Sequence, residues 1–234
     1  MRLALNTREI GDVIVVQCTG RVVAGAEMES LRSQILGLMP EHKDFVLHLG
    51  DVALIDSSGL GMMVRLLTGL RRSQGDLKLC NVPQAIDNLL RMTNLDRVFE
   101  IHQSEESAIS AFYKRRSAPE STSTSGPPVL CVDHNCDVLA YVREFLKKRG
   151  YDVQTTGNLH DALILLRVTR PALLLLGPNL NASPATQKEF EQACMRAPVV
   201  ELGNDFCTLD AGQAASRLMD RIQDRLQSGA TMPS

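Results

Sequence analysis

The chain of 234 residues has no tryptophan, three tyrosines and six phenylalanines. So sparse an aromatic set supplies no row of platforms on which unpaired bases could stack. Charge of one sign is also missing. The 25 Lys and Arg residues nearly balance the 27 Asp and Glu, for a net charge of −2, which gives no broad attraction to nucleic acid or to an anionic membrane. No apolar run approaches the ~18 residues of a membrane span. Met1 to Asn6 reaches Thr7-Arg8-Glu9 without the apolar centre of a signal peptide. The six cysteines, Cys18, Cys80, Cys131, Cys136, Cys194 and Cys207, contain no Cys-x-x-Cys pair. Most of them sit in apolar segments and read as buried, reduced thiols. No Ser-His-Asp set or metal-ligand spacing recurs in a form that argues for catalysis. These absences predict a soluble, cytoplasmic protein that is not an enzyme and uses no cofactor or metal.

The sharpest compositional change present is Ser117-Ala118-Pro119-Glu120-Ser121-Thr122-Ser123-Thr124-Ser125-Gly126-Pro127-Pro128. Nothing apolar recurs there at helix or strand period, so it reads as a flexible linker. It divides a first domain, 1–116, from a second, 129–228, with a short tail at 229–234. In the first domain, buried-strand runs (Val13–Cys18, Phe45–Leu49, Leu77–Val82, Val98–Ile101) alternate with helical patterns. The helices read as Glu27–Leu38, Gly59–Ser73, a short one after Pro83, and Glu105–Lys114. Thr19-Gly20 reads as the start of a turn. The second domain repeats the alternation, with Ala172–Leu176 as a central strand because it has no polar alternation. The expected fold class is α/β in both halves: a mixed sheet first, then a small doubly wound domain.

The stretch richest in chemistry is Asp56-Ser57-Ser58-Gly59-Leu60-Gly61, between the apolar Ala53-Leu54-Ile55 and a helical pattern. It sets two hydroxyls at a helix start, where unpaired N–H groups and the macrodipole favour negative charge. The two glycines keep side chains clear, so that another protein can approach closely. The expectation is a phosphorylation switch on an interaction surface made of Asp56, Ser57, Ser58, Gly59, Leu60, Gly61 and Met62. The competing reading makes Ser57 the N-cap of the helix.

From Leu3 to Phe112 the chain resembles a STAS domain. The resemblance rests on Thr19-Gly20, on Leu54-Ile55-Asp56-Ser57-Ser58-Gly59-Leu60-Gly61 and on Leu77-Lys78-Leu79-Cys80-Asn81-Val82-Pro83. The Asp-Ser-Ser-Gly-Leu-Gly core is similar to that of the bacterial anti-sigma factor antagonists. The resemblance implies that Ser57 is phosphorylated by a kinase that is itself the anti-sigma factor, and that a serine phosphatase reverses the modification; the neighbouring hydroxyl of Ser58 is the second choice from its position alone. That family usually places an acidic residue three positions after the early glycine; here the position is Val23.

The second domain resembles a response-regulator receiver, flavodoxin-like in fold, from Val129 to Leu226. Val129-Leu130-Cys131-Val132-Asp133 matches the opening strand. The remaining active-site positions depart from the family: His134 replaces the second acid, Gly177 the phosphoacceptor aspartate, and Gly203 the hydroxyl residue. Phosphoryl transfer needs clustered carboxylates for Mg²⁺ and a carboxylate nucleophile. The resemblance therefore implies a truncated pseudo-receiver, kept for binding or for homodimer formation. The function expected of the whole chain is that of an anti-sigma factor antagonist. A STAS scaffold of a signalling complex, or a ligand- or lipid-binding STAS module of a transport system, are the alternatives.

Overall fold

Ala4–Ile10 is the strand that opens the structure (β1), although its Asn6-Thr7-Arg8-Glu9 stretch carries no apolar run. It is an edge strand, half exposed, and the sequence reading passes over it because edge strands need little apolar content. Gly11, at φ 62°, opens the two-residue turn into β2, Val13–Val22, and the two strands pair antiparallel. The computed structural model describes residues 2–116, 126–178, 180, 182–194, 197–203 and 211–229. Most of the predicted linker, the tail beyond residue 229 and Cys207 lie outside the described residues. Two compact units divide the chain, Met1–Ala118 and Pro119–Ser234.

In the first unit α1 (Ala26–Leu38), β3 (Asp44–Ile55), α2 (Ser57–Arg72), β4 (Asp76–Cys80), α3 (Gln84–Met92), β5 (Glu100–His102) and α4 (Glu105–Arg116) follow. The sheet order is β1-β2-β3-β4-β5, parallel beyond the first pair. Thr19-Gly20 corrects one expectation: both residues lie inside β2. Gly20 sits at φ 108° between two register shifts, and a side chain there would strike Arg2 O at 2.3 Å. The glycine marks an irregularity in a long strand and a close backbone approach. β3 likewise runs unbroken through Gly50-Asp51, joining two apolar runs into one strand of 12 residues.

Alternation along the strands sorts the core. Ile14, Val16, Phe45, Leu47, Leu77 and Leu79 share a fully apolar cluster with Leu31 and Ile35 of α1, Met63, Leu67 and Leu70 of α2, and Leu90 of α3. The other face carries α4, where Lys78 lies 4.7 Å over the Phe112 ring and pairs with Glu100. Arg115 there bridges the buried carboxylates of Asp44 and Asp76.

In the second unit β6 (Pro128–Val132), α5 (Cys136–Lys147), β7 (Asp152–Thr156), α6 (Leu159–Thr169), β8 (Leu173–Leu176), α7 (Pro184–Cys194), β9 (Val199–Glu201) and α8 (Ala211–Gly229) alternate. The order β7-β6-β8-β9 is parallel throughout. Val129, Cys131, Leu173 and Leu175 pack with Val138, Val142 and Leu146 of α5 and with Leu218 and Ile222 of α8. Leu130 and Leu174, pointing the other way, are also fully buried, so this sheet is apolar on both faces, as all-parallel sheets are. Among the described residues no helix is long and apolar enough to cross a membrane.

Candidate functional site

Asp56 is the residue around which the first site is built. It leaves β3 with extended backbone and caps α2: its Oδ1 accepts from Gly59 N–H at 2.7 Å. Its Oδ2 accepts from Ala24 N–H at 3.0 Å, on the connection between β2 and α1. One carboxylate thus ties the start of α2 to a second loop 32 residues earlier in the chain. Those two N–H groups, Ala24 first, hold the Asp56 carboxyl below the usual carboxylate range. Gly59 permits the close fit, since a side chain there would meet Val22 O at 2.4 Å.

Because Asp56 takes the cap, Ser57 does not. Ser57 and Ser58 are the first two residues of α2, both exposed, and neither hydroxyl has a hydrogen-bond partner among the described residues. Val23 is half-buried and adjoins the Ala24 that Asp56 holds. Gly61 is half-exposed, and Leu54, grouped by the sequence reading with an apolar strand, is 43% exposed just before the serines.

The remaining predicted surface residues are placed differently. Gly59 and Leu60 are buried, and Met62, which the sequence reading set on the interaction surface, is 1% exposed within the core. At helical spacing Met62 and Met63 both face inward, Met62 forming part of the floor of a groove between α1 and α2. Sequence reasoning missed the Asp56–Ala24 tether. An aspartate before Ser-Ser-Gly is a legible capping signal, but the loop it reaches is set by tertiary structure.

The predicted degenerate site of the second unit comes together in part. Asp133, 2% exposed, accepts from Asn135 N–H at 2.8 Å, and His134 Nδ1 lies 3.5 Å from the same oxygen. Gly177 lies against this carboxylate and donates its N–H to Val132 O at 2.7 Å. Gly203 is half-buried just after β9. Among the described residues no group of three His, Cys, Asp or Glu side chains is gathered to hold a metal ion. Burial pushes the thiols of Cys18 and Cys80 up to about 12 and raises that of Cys131 further. Cys194 is partly buried and Cys136 is exposed, so the expectation of buried thiols does not extend to Cys136, which opens α5.

Residues 4–108 match the family model of the STAS domain. Over 102 residues the chain is 28% identical to BtrV of Bordetella bronchiseptica, covering 43% of this chain and 88% of that protein, whose name assigns it provisionally to the anti-sigma factor antagonists. Over 79 residues it is 29% identical to the anti-sigma-B factor antagonist of Bacillus subtilis, covering 34% of this chain and 72% of that one. Among solved structures, the anti-sigma factor antagonist SpoIIAA in its unphosphorylated form is 15% identical, with 49% of this chain and 99% of that one covered at a TM-score of 0.39. The N-terminal unit is a STAS domain with homologues among anti-sigma factor antagonists.

Proposed function

We propose that this chain is an anti-sigma factor antagonist, a binding protein switched by phosphorylation of Ser57. Unphosphorylated, the surface formed by Ser57, Ser58, Gly61 and the Asp56-tethered loop docks onto a serine-kinase anti-sigma factor and sequesters it, so that a sigma factor is freed. Phosphate brings about −2 charges to this surface and ends docking through repulsion and desolvation cost. A serine phosphatase resets the cycle. The observation that carries this reading is the division of labour at the start of α2: Asp56 caps the helix, which leaves the exposed Ser57 hydroxyl unengaged.

The second unit, on this reading, is a pseudo-receiver that serves binding or self-association. Its support is the strand order, which equals the first four positions of the flavodoxin-like 2-1-3-4-5 arrangement, and the glycine at 177 beside the buried Asp133. The test of the function uses the chain recovered from its native cells. Mass spectrometry is expected to place a single phosphate on Ser57, and wild type is expected to co-purify with an ATP-binding serine kinase. A chain that never carries phosphate at Ser57 and retains no kinase overturns the proposal.

A further inference from the structure

Arg65 stands two turns beyond the serines on α2, exposed, with no hydrogen-bond or ion-pair partner among the described residues. Helical side chains lean toward the N-terminus, so Arg65 covers the turn before its own. That turn is Gly61. The site a side chain at Gly61 would begin to fill lies 3.7 Å from Arg65 Nη1. The guanidinium therefore lies along the helix toward its start, at van der Waals distance from that position. Gly61 is in turn four residues from Ser57 and three from Ser58, positions whose Cβ atoms stand about 5–6 Å apart. A phosphoserine extends three acceptor oxygens into that gap, and a guanidinium presents a planar fork of donors that matches them.

We propose that Arg65 is the intramolecular counter-ion of phosphorylated Ser57, reaching the phosphate across the open position at Gly61. The inference rests on the phospho-switch reading above and adds to it how the modified state is held. Arg65 also borders the groove between α1 and α2, beside Met28, Glu29, Arg32 and Leu36. Drawing the guanidinium to the phosphate takes a free cation away from the docking side at the moment the new charge arrives. The switch then works by withdrawing one charge as well as by adding another. Asp56 beside the serine, Arg21, which acts on Asp56 through space, and the Glu29–Arg32 pair that borders the groove with Arg65 are other charges nearby, and all of them stay constant when only Arg65 is changed.

The test installs phosphoserine at position 57 of the full chain by genetic encoding, so that no kinase is needed, and follows its second ionisation by ³¹P NMR. Free phosphoserine titrates near pH 6. Wild type is expected to titrate lower than Arg65→Gln by about half a unit, the low end for a nearby opposite charge that water screens. Arg65→Lys is expected to restore most of the difference, and salt at about 1 M to shrink it. Equal titration of wild type and Arg65→Gln overturns the proposal, as does a difference that appears only when phosphoserine is moved to 58. This result is independent of the switch itself. Failure of the titration leaves phosphorylation of Ser57 standing, and absence of phosphate on Ser57 in native cells removes the switch without altering the titration.

Discussion

Asp133 occupies the space that a side chain at position 177 would need. A Cβ at Gly177 would lie 2.1 Å from Asp133 Oδ2 and 2.9 Å from its Cβ. Gly177 has no positive φ, so the constraint is one of packing and not of backbone conformation. Gly177→Ala is therefore expected to destabilise the second unit by about 1–3 kcal/mol, as overpacking does. Adding Asp133→Ala should recover part of that loss, and a double-mutant cycle by urea unfolding measures the coupling. Purely additive losses would show that the two positions do not compete for space. Acetyl phosphate with Mg²⁺ is expected to leave the second unit unmodified, since Gly177 offers no acceptor atom.

Two glycines of α2 should answer the same substitution with opposite signs. At Gly59 an alanine Cβ would meet backbone, Val22 O at 2.4 Å, whereas at Gly69 nothing lies within 4 Å. Gly59→Ala is expected to cost about 1–3 kcal/mol by prising the helix start from β2. Gly69→Ala is expected to stabilise by about 0.5–1 kcal/mol through helix propensity alone. Denaturant midpoints of the two variants check the pair.

Asp56 makes the first unit's stability depend on acid. Its carboxyl is held below the usual range when folded, so the ionised form is the one the fold favours. That contribution is fully present above the unfolded value of about 3.9 and is lost as pH falls through the lower folded value. The variant Asp56→Asn keeps a side chain able to cap the helix but has no group there to titrate. The margin of wild type over Asp56→Asn in thermal midpoint should shrink between pH 5 and about pH 2; a constant margin would count against the tether.

Ser57→Asp should imitate the modified surface only in part, because aspartate carries one charge and fewer acceptor oxygens than phosphate. A loss of at least tenfold in affinity for the kinase partner, about 1.4 kcal/mol, is expected by calorimetry. An unchanged dissociation constant would argue that the partner docks elsewhere.

The two compact units should fold apart. A fragment of residues 1–118 is expected to unfold cooperatively on its own and to retain the kinase partner, because every residue of the proposed docking surface lies within it. An unfolded fragment, or one that binds nothing the whole chain binds, would make the two halves a single functional unit.

Much of this molecule was legible in one dimension. The apolar runs at Val13, Phe45, Leu77, Val129 and Leu173 are strands because each buries a continuous apolar stretch, and the 3.6-residue spacing of Leu60, Met63, Leu67 and Leu70 is one buried face of α2. The Asp56-Ser57-Ser58-Gly59 step was legible as a helix start for the same reason, although the cap offered by the sequence was Ser57 and the one the structure uses is Asp56. β1 was not, because an edge strand is stabilised by a neighbour's backbone and needs no pattern of its own. Nor was Gly20, whose requirement comes from Arg2 O and not from a turn. Met62 falls on the boundary: its spacing allows either side of the helix face, and only the packing of α1 against α2 places it inside. What sequence alone determined were the interactions among near neighbours in the chain. The tether from Asp56 to Ala24, the filling of position 177 by Asp133 and the path of Arg65 over Gly61 were decided by the tertiary structure. The first two join residues far apart in sequence, and the third depends on a side-chain path that spacing alone does not choose.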